Sequence, residues 1–302
     1  MCRWLTYMGT PILMHDLLYK PEHSIVTQSL NSTMGAEPTN GDGFGVAWYG
    51  IGNEPAQFRS VEPAWHDKNL LDISKHIRSH TIFVHVRAAS AKNSVQQTNC
   101  HPFRYGQWIF QHNGVIRSFN KVKRDLMFQI DPDLFPHILG VSCHVVTLRC
   151  HVIHTKLTPP FQSTDSETFF FLALTFGLEE DPPKAMAKTI AFIEHIGRKY
   201  NVQFPFQGTV AVTNGDQLWA FRYSTENKSR TLFFSTDAEK VKAMYPERQS
   251  LRQLGKTSRL VVSEPLSSLE GVWNPVPESS YLTVIGESIE VFPFKPSDDC
   301  FA

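Results

Sequence analysis

Cys2 is the first residue whose type and position could do chemistry. A small second residue permits removal of Met1, leaving a thiol and a free α-amine on one residue. An α-amine ordinarily titrates at about pH 7.7–8.0, which suits general-base work near neutral pH, so nucleophile and base would come from the same residue. The position also suits a small apolar side chain in a first strand, and other residues must decide between the two. Three further segments set polar groups or glycines against an apolar strand. Asn40-Gly41-Asp42-Gly43-Phe44-Gly45-Val46-Ala47-Trp48 carries glycines where backbone must come close to something. Phe83-Val84-His85-Val86-Arg87-Ala88-Ala89-Ser90 ends a strand on Arg87. Phe110-Gln111-His112-Asn113-Gly114-Val115 ends a strand on Asn113-Gly114, which suits the donors of an oxyanion hole. Taken singly, the glycine run also fits a turn, Arg87 a surface ion pair, and Asn113-Gly114 a hairpin turn.

The elements that would carry these groups are mostly strands. Short β-branched and aromatic runs recur at Arg3 to Met8, Phe44 to Tyr49, Thr81 to Arg87, Trp108 to His112, Gly208 to Thr213, Gln217 to Tyr223, Thr231 to Ser235 and Ser258 to Ser263. Asn214-Gly215-Asp216 favours the positive φ angles of a tight turn, so its flanking strands should form an antiparallel hairpin. Helical periodicity covers Asp67 to Ser79, and after Pro182-Pro183 it covers Ala185 to Tyr200, with Met186, Ile190, Ile193 and Ile196 on one face. Thr164-Asp165-Ser166-Glu167 is a capping box that puts Asp165 in the first turn of a third helix, and the Phe169 to Phe176 run is the buried face of that helix. The class is α+β, with antiparallel strands prominent.

The chain has 302 residues, with 29 Lys and Arg against 29 Asp and Glu, a balance that argues against a nucleic-acid or anionic-membrane binder. A chain of this length buries about 75% of its unfolded surface and needs no staples. No apolar run approaches the roughly 18 residues of a membrane span. The N-terminus reaches polar residues too soon for a signal peptide, so a cytoplasmic protein is expected. Five scattered cysteines (Cys2, Cys100, Cys143, Cys150, Cys300) do not suggest a disulfide framework. Neither a P-loop nor a GxGxxG fingerprint occurs, so no cofactor is implied. Pro and Gly are spread evenly, and the economical reading is one domain over 1–302.

In order, Cys2-Arg3-Trp4, His23-Ser24 with Gln28-Ser29, Asn40-Gly41-Asp42-Gly43-Phe44-Gly45, His85-Val86-Arg87, Asn99-Cys100-His101-Pro102-Phe103, His112-Asn113-Gly114 and Ser163-Thr164-Asp165-Ser166-Glu167 resemble the class II glutamine amidotransferases. The resemblance covers residue 2 to about residue 240 and is strongest to the stand-alone γ-glutamyl hydrolase branch, which holds the ergothioneine-pathway hydrolase and an amidotransferase-like subunit of a glutathione-degradation complex. It implies an N-terminal-nucleophile hydrolase with a four-layer αββα sandwich, two antiparallel sheets between helical layers, and the nucleophile at the start of a central strand. It further implies that Cys2 attacks a γ-glutamyl carbonyl and forms a thioester that water hydrolyses. Asn113 and Gly114 match the oxyanion hole, Arg87 the binder of the substrate α-carboxylate, and Asp165 the binder of its α-ammonium.

The chain departs from its relatives after Asp131-Pro132-Asp133-Leu134-Phe135-Pro136-His137-Ile138, where about twenty extra residues precede the Ser-Thr-Asp-Ser-Glu motif. Residues 139–161 are read as an insertion loop and 241–302 as a C-terminal extension of the same domain. Cys143, His144, Cys150, His151 and His154 could ligate zinc, but their spacing matches no standard zinc module, and no metal site is assigned. Cys100 and His101 point to opposite faces of an extended segment and make a poor dyad, so Asn99 to Phe103 is read as a wall of the site and His15 and His23 as structural. The expected activity is hydrolysis of a small-molecule γ-glutamyl amide, with a partner peptidase or acceptor subunit possible. The competing reading is an inactive or regulatory subunit that binds γ-glutamyl ligands or a partner protein.

Overall fold

The computed structural model describes residues 2–34, 38–88, 95–139, 164–247 and 249–296. Strand β1 (Arg3–Leu13) starts directly after Cys2 and leads through two short helices, α1 (Met14–Leu18) and α2 (Ile25–Leu30), to β2 (Phe44–Tyr49) and β3 (Pro55–Ser60). Next come α3 (Lys68–Ser74), β4 (Arg78–Val86), β5 (Phe103–Tyr105), β6 (Trp108–Ile116) and α4 (Phe119–Phe128). Helices α5 (Asp165–Thr175) and α6 (Pro182–Lys199) precede the hairpin of β7 (Phe206–Thr213) and β8 (Gln217–Ser224). The chain closes with β9 (Phe233–Ser235), α7 (Ala238–Met244), β10 (Arg259–Val262), β11 (Trp273–Pro275), β12 (Ser280–Ile285) and β13 (Ser288–Pro293). The strands form a seven-stranded sheet in the order β11-β9-β10-β1-β4-β2-β3 and a six-stranded sheet in the order β13-β12-β8-β7-β6-β5, antiparallel throughout.

Alternation along the strands divides the interior into three apolar layers, because successive side chains leave a strand on opposite faces. Leu5 and Tyr7 of β1 and Ile82, Val84 and Val86 of β4 pack outward against Met14, Leu17, Ile25, Val26 and Leu70 of the first three helices. Trp4 and Met8 of β1 and Phe83 of β4 turn inward and meet Ile109 of β6, Ala211 of β7 and Leu218 and Ala220 of β8. The outer face of the second sheet, with Phe110, Val210, Val212 and Phe221, packs on α4, α5 and α6. Helix, sheet, sheet, helix is therefore the order of layers. Large inward side chains on the first sheet face alanines on the second, which lets the sheets approach; each fully buried aromatic contributes about 1.5–3 kcal/mol.

The expected strands are all present, and the Asn214-Gly215-Asp216 turn closes the β7–β8 hairpin with Gly215 at φ +102°. One helix is shorter than its periodicity predicts. Asp67 caps α3 by accepting from the Leu70 N–H at 2.8 Å, but the helix stops at Ser74 because Arg78 onward pairs with β1, with Leu13 opposite Arg78. Strand pairing outweighs the local helical pattern there. Helix α5 differs in another way: residues Ser166 to Leu174 are buried all round its axis, so the Phe169 run is a fully enclosed helix rather than one apolar face.

Candidate active site

Cys2 shares the parity of Trp4 and Met8 and so belongs to the inward face of β1, which lies fourth of seven in its sheet. Arg3 pairs with Val86 across the ladder, which brings Cys2 to the end of β4 where Arg87 and Ala88 follow. The half-buried thiol donates to the Ala88 carbonyl at 3.7 Å. Burial pushes the Cys2 thiol above its ordinary pKa, and the nearby guanidinium charges of Arg87 and Arg3 pull the other way.

Arg87 is buried, not a surface residue. Its backbone N–H donates to Gly43 at 2.9 Å, its carbonyl accepts from the Asp42 N–H at 3.0 Å, and its Nη1 donates to the Asp42 carbonyl at 3.4 Å. The Asn40 to Gly43 segment thus wraps the end of β4. A Cβ on Gly43, whose φ is +105°, would lie 2.7 Å from both Cys100 Sγ and the Ser60 carbonyl, so only glycine fits between β3 and the Asn99 to Phe103 wall.

Asn113 and Gly114 lie inside β6, which runs on to Ile116, so the expectation that the strand ends there is corrected. The strand continues because Gly114 faces Gly208 across the ladder, and a Cβ on Gly114 would lie 2.6 Å from the Gly208 Cα. Asn113 shares the inward parity of Ile109 and so faces the first sheet. Arg117 donates its N–H to Pro205 at 2.8 Å on the β7 side, so by the alternation of an antiparallel ladder the N–H groups of Gly114 and Ile116 point to the opposite edge. Strand β5 covers that edge only as far as the Phe103–Phe110 pair.

Asp165 occupies the same edge. Its Oδ2 accepts from the Ile116 N–H at 2.9 Å and its Oδ1 from the Ser166 N–H at 2.9 Å. The cap itself is as expected, Thr164 Oγ1 accepting from the Glu167 N–H at 3.2 Å, but the Glu167 carboxylate receives the Leu139 N–H at 2.9 Å, a partner outside the capping box. Ser166 Oγ and His112 Nδ1, 2.9 Å apart, pin α5 to β6 a second time. The structure therefore gathers Cys2 and Arg87 at one end of the first sheet, and Asn113, Gly114 and Asp165 along β6 of the second.

Neutral polar contacts join the two groups. The Trp4 indole N–H donates to Thr209 Oγ1 at 3.1 Å, and Thr209 is the ladder partner of Asn113. Gln111 Nε2 donates to the Leu5 carbonyl at 3.4 Å. His85 Nε2 lies 3.3 Å from the His112 carbonyl, which can only accept, so the His85 proton is on Nε2. Burial pushes the His85 pKa down to about 3 and that of His101, stacked on it at 4.3 Å, well below its usual value. Both rings are neutral at physiological pH.

Sequence reasoning passed over two residues here. Arg3 Nη1 donates to the Cys2 carbonyl at 3.0 Å, and Arg3 Nε to the Glu264 carboxylate at 2.6 Å. Arg3 stood in the Cys2-Arg3-Trp4 motif without a role of its own, and Glu264, 261 positions away, carried no signal. Among the described residues no group of three or more His, Cys, Asp or Glu could hold a metal ion; the Cys143 to His154 cluster lies outside them. Also among the described residues, no helix is long and apolar enough to cross a membrane. A cavity of about 480 Å³, mostly apolar and lined by Leu17, Leu254, Leu260, Leu266, Val272 and Trp273 among others, holds none of the candidate catalytic side chains. The chemistry, not that volume, identifies the site.

Residues 20–131 match the family model of the class-II glutamine amidotransferases. Two antiparallel sheets between helices, with Cys2 at the head of a central strand, are what the resemblance implied, and the chain belongs to that class. It is 33% identical over 324 residues to the probable glutamine amidotransferase DUG3 of Saccharomyces cerevisiae, covering 97% of this chain and 84% of the yeast protein. It is also 31% identical over 117 residues to the gamma-glutamyl-hercynylcysteine sulfoxide hydrolase of Mycobacterium tuberculosis, a match of 38% of this chain and 50% of that one. A solved glutamine aminotransferase class-II domain protein from Silicibacter pomeroyi superposes with a TM-score of 0.68 at 28% identity, over 98% of this chain and 100% of that one. Glutamine phosphoribosylpyrophosphate amidotransferase from B. subtilis shares the fold alone, with a TM-score of 0.60 at 13% identity over 98% of this chain and 50% of that one.

Proposed function

We propose that this chain hydrolyses the γ-glutamyl amide bond of a small molecule through a thioester on Cys2. The observation that carries the reading is the convergence of Cys2 and Arg87 at the ends of adjacent central strands, on the face that looks onto β6. With Met1 removed, the Cys2 α-amine takes the thiol proton as Sγ bonds to the amide carbon. The resulting oxyanion is received by the Asn113 side-chain amide and the Gly114 N–H, each donor of this kind contributing about 2.7–4 kcal/mol in the transition state. The C–N bond then breaks, the α-amine passes its proton to the leaving nitrogen, and a thioester remains. Water attacks the thioester, gives its proton to the α-amine, and the C–S bond breaks to release the glutamyl carboxylate and restore the thiol.

Arg87 binds the α-carboxylate with its planar fork, and Asp165, anchored to the end of β6, binds the α-ammonium. Recognition is thus concentrated on the glutamyl head, which fits relatives that include both a probable glutamine amidotransferase and a gamma-glutamyl-hercynylcysteine sulfoxide hydrolase. The leaving-group side is left open to different amines and to a partner peptidase or acceptor subunit. Strands β9 to β11 complete the first sheet and β12 and β13 the second, which supports reading 1–302 as one domain. The test is intact-mass and peptide mapping before and after incubation with a glutamine-like diazoketone, together with glutamate release from γ-glutamyl compounds. Loss of Met1 and a single adduct on Cys2 are expected; a Cys2→Ala variant that still hydrolyses would refute the reading.

A further inference from the structure

The Arg3 side chain leaves β1 on the outward face, the face that carries Leu5 and Tyr7. Its guanidinium is nevertheless buried and divided three ways. Nε donates to Glu264 Oε2 at 2.6 Å, Nη2 to Ser32 Oγ at 2.9 Å, and Nη1 to the Cys2 carbonyl at 3.0 Å. Glu264 is as deeply buried as its partner, each side chain being 3% exposed. It also accepts from the Thr33 N–H at 2.9 Å, the Thr33 hydroxyl at 2.7 Å and the Met34 N–H at 3.2 Å. Burial alone would raise the Glu264 pKa, but the Thr33 donors and Arg3 outweigh it and hold the carboxyl below its usual range. The segment carrying Glu264 is itself tied to the N-terminus: Ser263 Oγ accepts from the Trp4 N–H at 2.9 Å, the Ser263 N–H donates to the Trp4 carbonyl at 3.0 Å, and Gln28 Nε2 donates to the Glu264 carbonyl at 3.3 Å.

A buried ion pair is a poor device for stability, since apolar residues of similar volume usually serve as well or better. This one ends on the carbonyl of the candidate nucleophile. We propose that Arg3 and Glu264 form a positioning clamp: Glu264 fixes the guanidinium, and the guanidinium fixes the Cys2 peptide, so that Sγ and the α-amine of the same residue are held toward the substrate carbonyl. The inference rests on the Cys2 reading above. The substrate-binding side chains, Arg87 and Asp165, belong to β4's end and α5, so the clamp acts on the attacking atoms and not on the glutamyl head.

The test compares wild type, Glu264→Gln, Arg3→Met and the double variant, with glutamine as substrate and iodoacetamide as a substrate-independent probe of Cys2. Glu264→Gln keeps the shape of the side chain and is the variant least disturbing to folding, which thermal melting monitors. Expected for Glu264→Gln is a kcat about 100-fold lower, the scale of a small misplacement of a reacting group, with KM within about twofold of wild type. The double variant should be no slower than the worse single one, because two residues acting as one unit cannot be lost twice. Unchanged kcat, a KM that moves in step with kcat, or fully multiplicative losses would overturn the clamp. A wild-type chain that releases no glutamate from any γ-glutamyl compound would overturn the functional reading instead. The clamp would then be decided by iodoacetamide: slower Cys2 alkylation at pH 7 in Glu264→Gln supports it, and equal rates refute it.

Discussion

Acidification should weaken this fold well before its carboxylates titrate, and the effect is concentrated where the two sheets meet. His85 is fully buried between the sheets, with its pKa pushed down to about 3 by burial, against an ordinary value near 6.5. An unfolded chain therefore binds a proton on this ring in the window from 6.5 to 3 where the folded chain does not. Stability is fully present above pH 6.5 and is lost as pH falls. Between pH 7 and pH 5 the linkage relation gives a loss of about 2 kcal/mol for one such ring. His101, stacked on His85, is depressed by burial in the same way, whereas His112 lies on the other face of β6 against α5, where burial also lowers its pKa and the Asp165 carboxylate opposes the shift. The assay is urea unfolding at pH 7, 6 and 5, followed by tryptophan fluorescence, in wild type and in His85→Gln, whose amide keeps a donor for the His112 carbonyl. The window stops at pH 5 to exclude Glu264, whose lowered carboxyl loses its contribution only as pH falls further. His85→Gln should remove about 2 kcal/mol of the pH dependence. Stability that does not fall between pH 7 and 5, or an unchanged pH dependence in His85→Gln, would refute the assignment of neutral buried rings to this interface.

Three substitutions separate the roles assigned to the site. Asn113→Ala should lower kcat by about 10²–10³ with little change in KM, the signature of a donor that acts in the transition state, and steady-state kinetics on glutamine decides it. Arg87→Lys keeps the charge but loses the fork, so KM should rise about tenfold or more, as expected when a charge-assisted contact is lost; an unchanged KM would remove Arg87 from carboxylate binding. Thr164→Ala deletes the α5 cap and should cost about 1 kcal/mol in urea unfolding, with a rise in KM if Asp165 shifts with the helix end.

The parts of the molecule legible in the sequence are those whose signals are local. Alternating apolar runs gave the strands on which Cys2, Arg87 and Asn113 ride, and Asn214-Gly215-Asp216 gave the β7–β8 hairpin. Thr164 to Glu167 announced the start of α5 and with it the place of Asp165. Local signals failed where distant pairing decided the outcome. The helical pattern after Asp67 stops at Ser74 because β1 claims Arg78, and Asn113-Gly114, a turn dipeptide by composition, stays extended because Gly208 faces it. Residues 25–30 show no strong period, yet they form α2, which Ser24 caps by accepting the Thr27 N–H and Gln28 ties to the far end of the chain.

That far end bears most directly on how the site is assembled. The family model stops at residue 131, and each motif that names the chemistry lies before residue 168. Yet Val261 and Val262 pair with β1 opposite Thr6 and Leu5, and Ser263 and Glu264 take up the Trp4 N–H and the Arg3 guanidinium. The strand that follows Cys2 therefore has β4, with Arg87 after it, on one side and the C-terminal segment on the other. A chain cut after the last recognisable motif would keep Cys2, Arg87, Asn113, Gly114 and Asp165 but would lose one of the two strands that hold Cys2 in line. The position of the thiol is thus a property of the completed sheet, and completing it takes residues that carry no catalytic signature of their own.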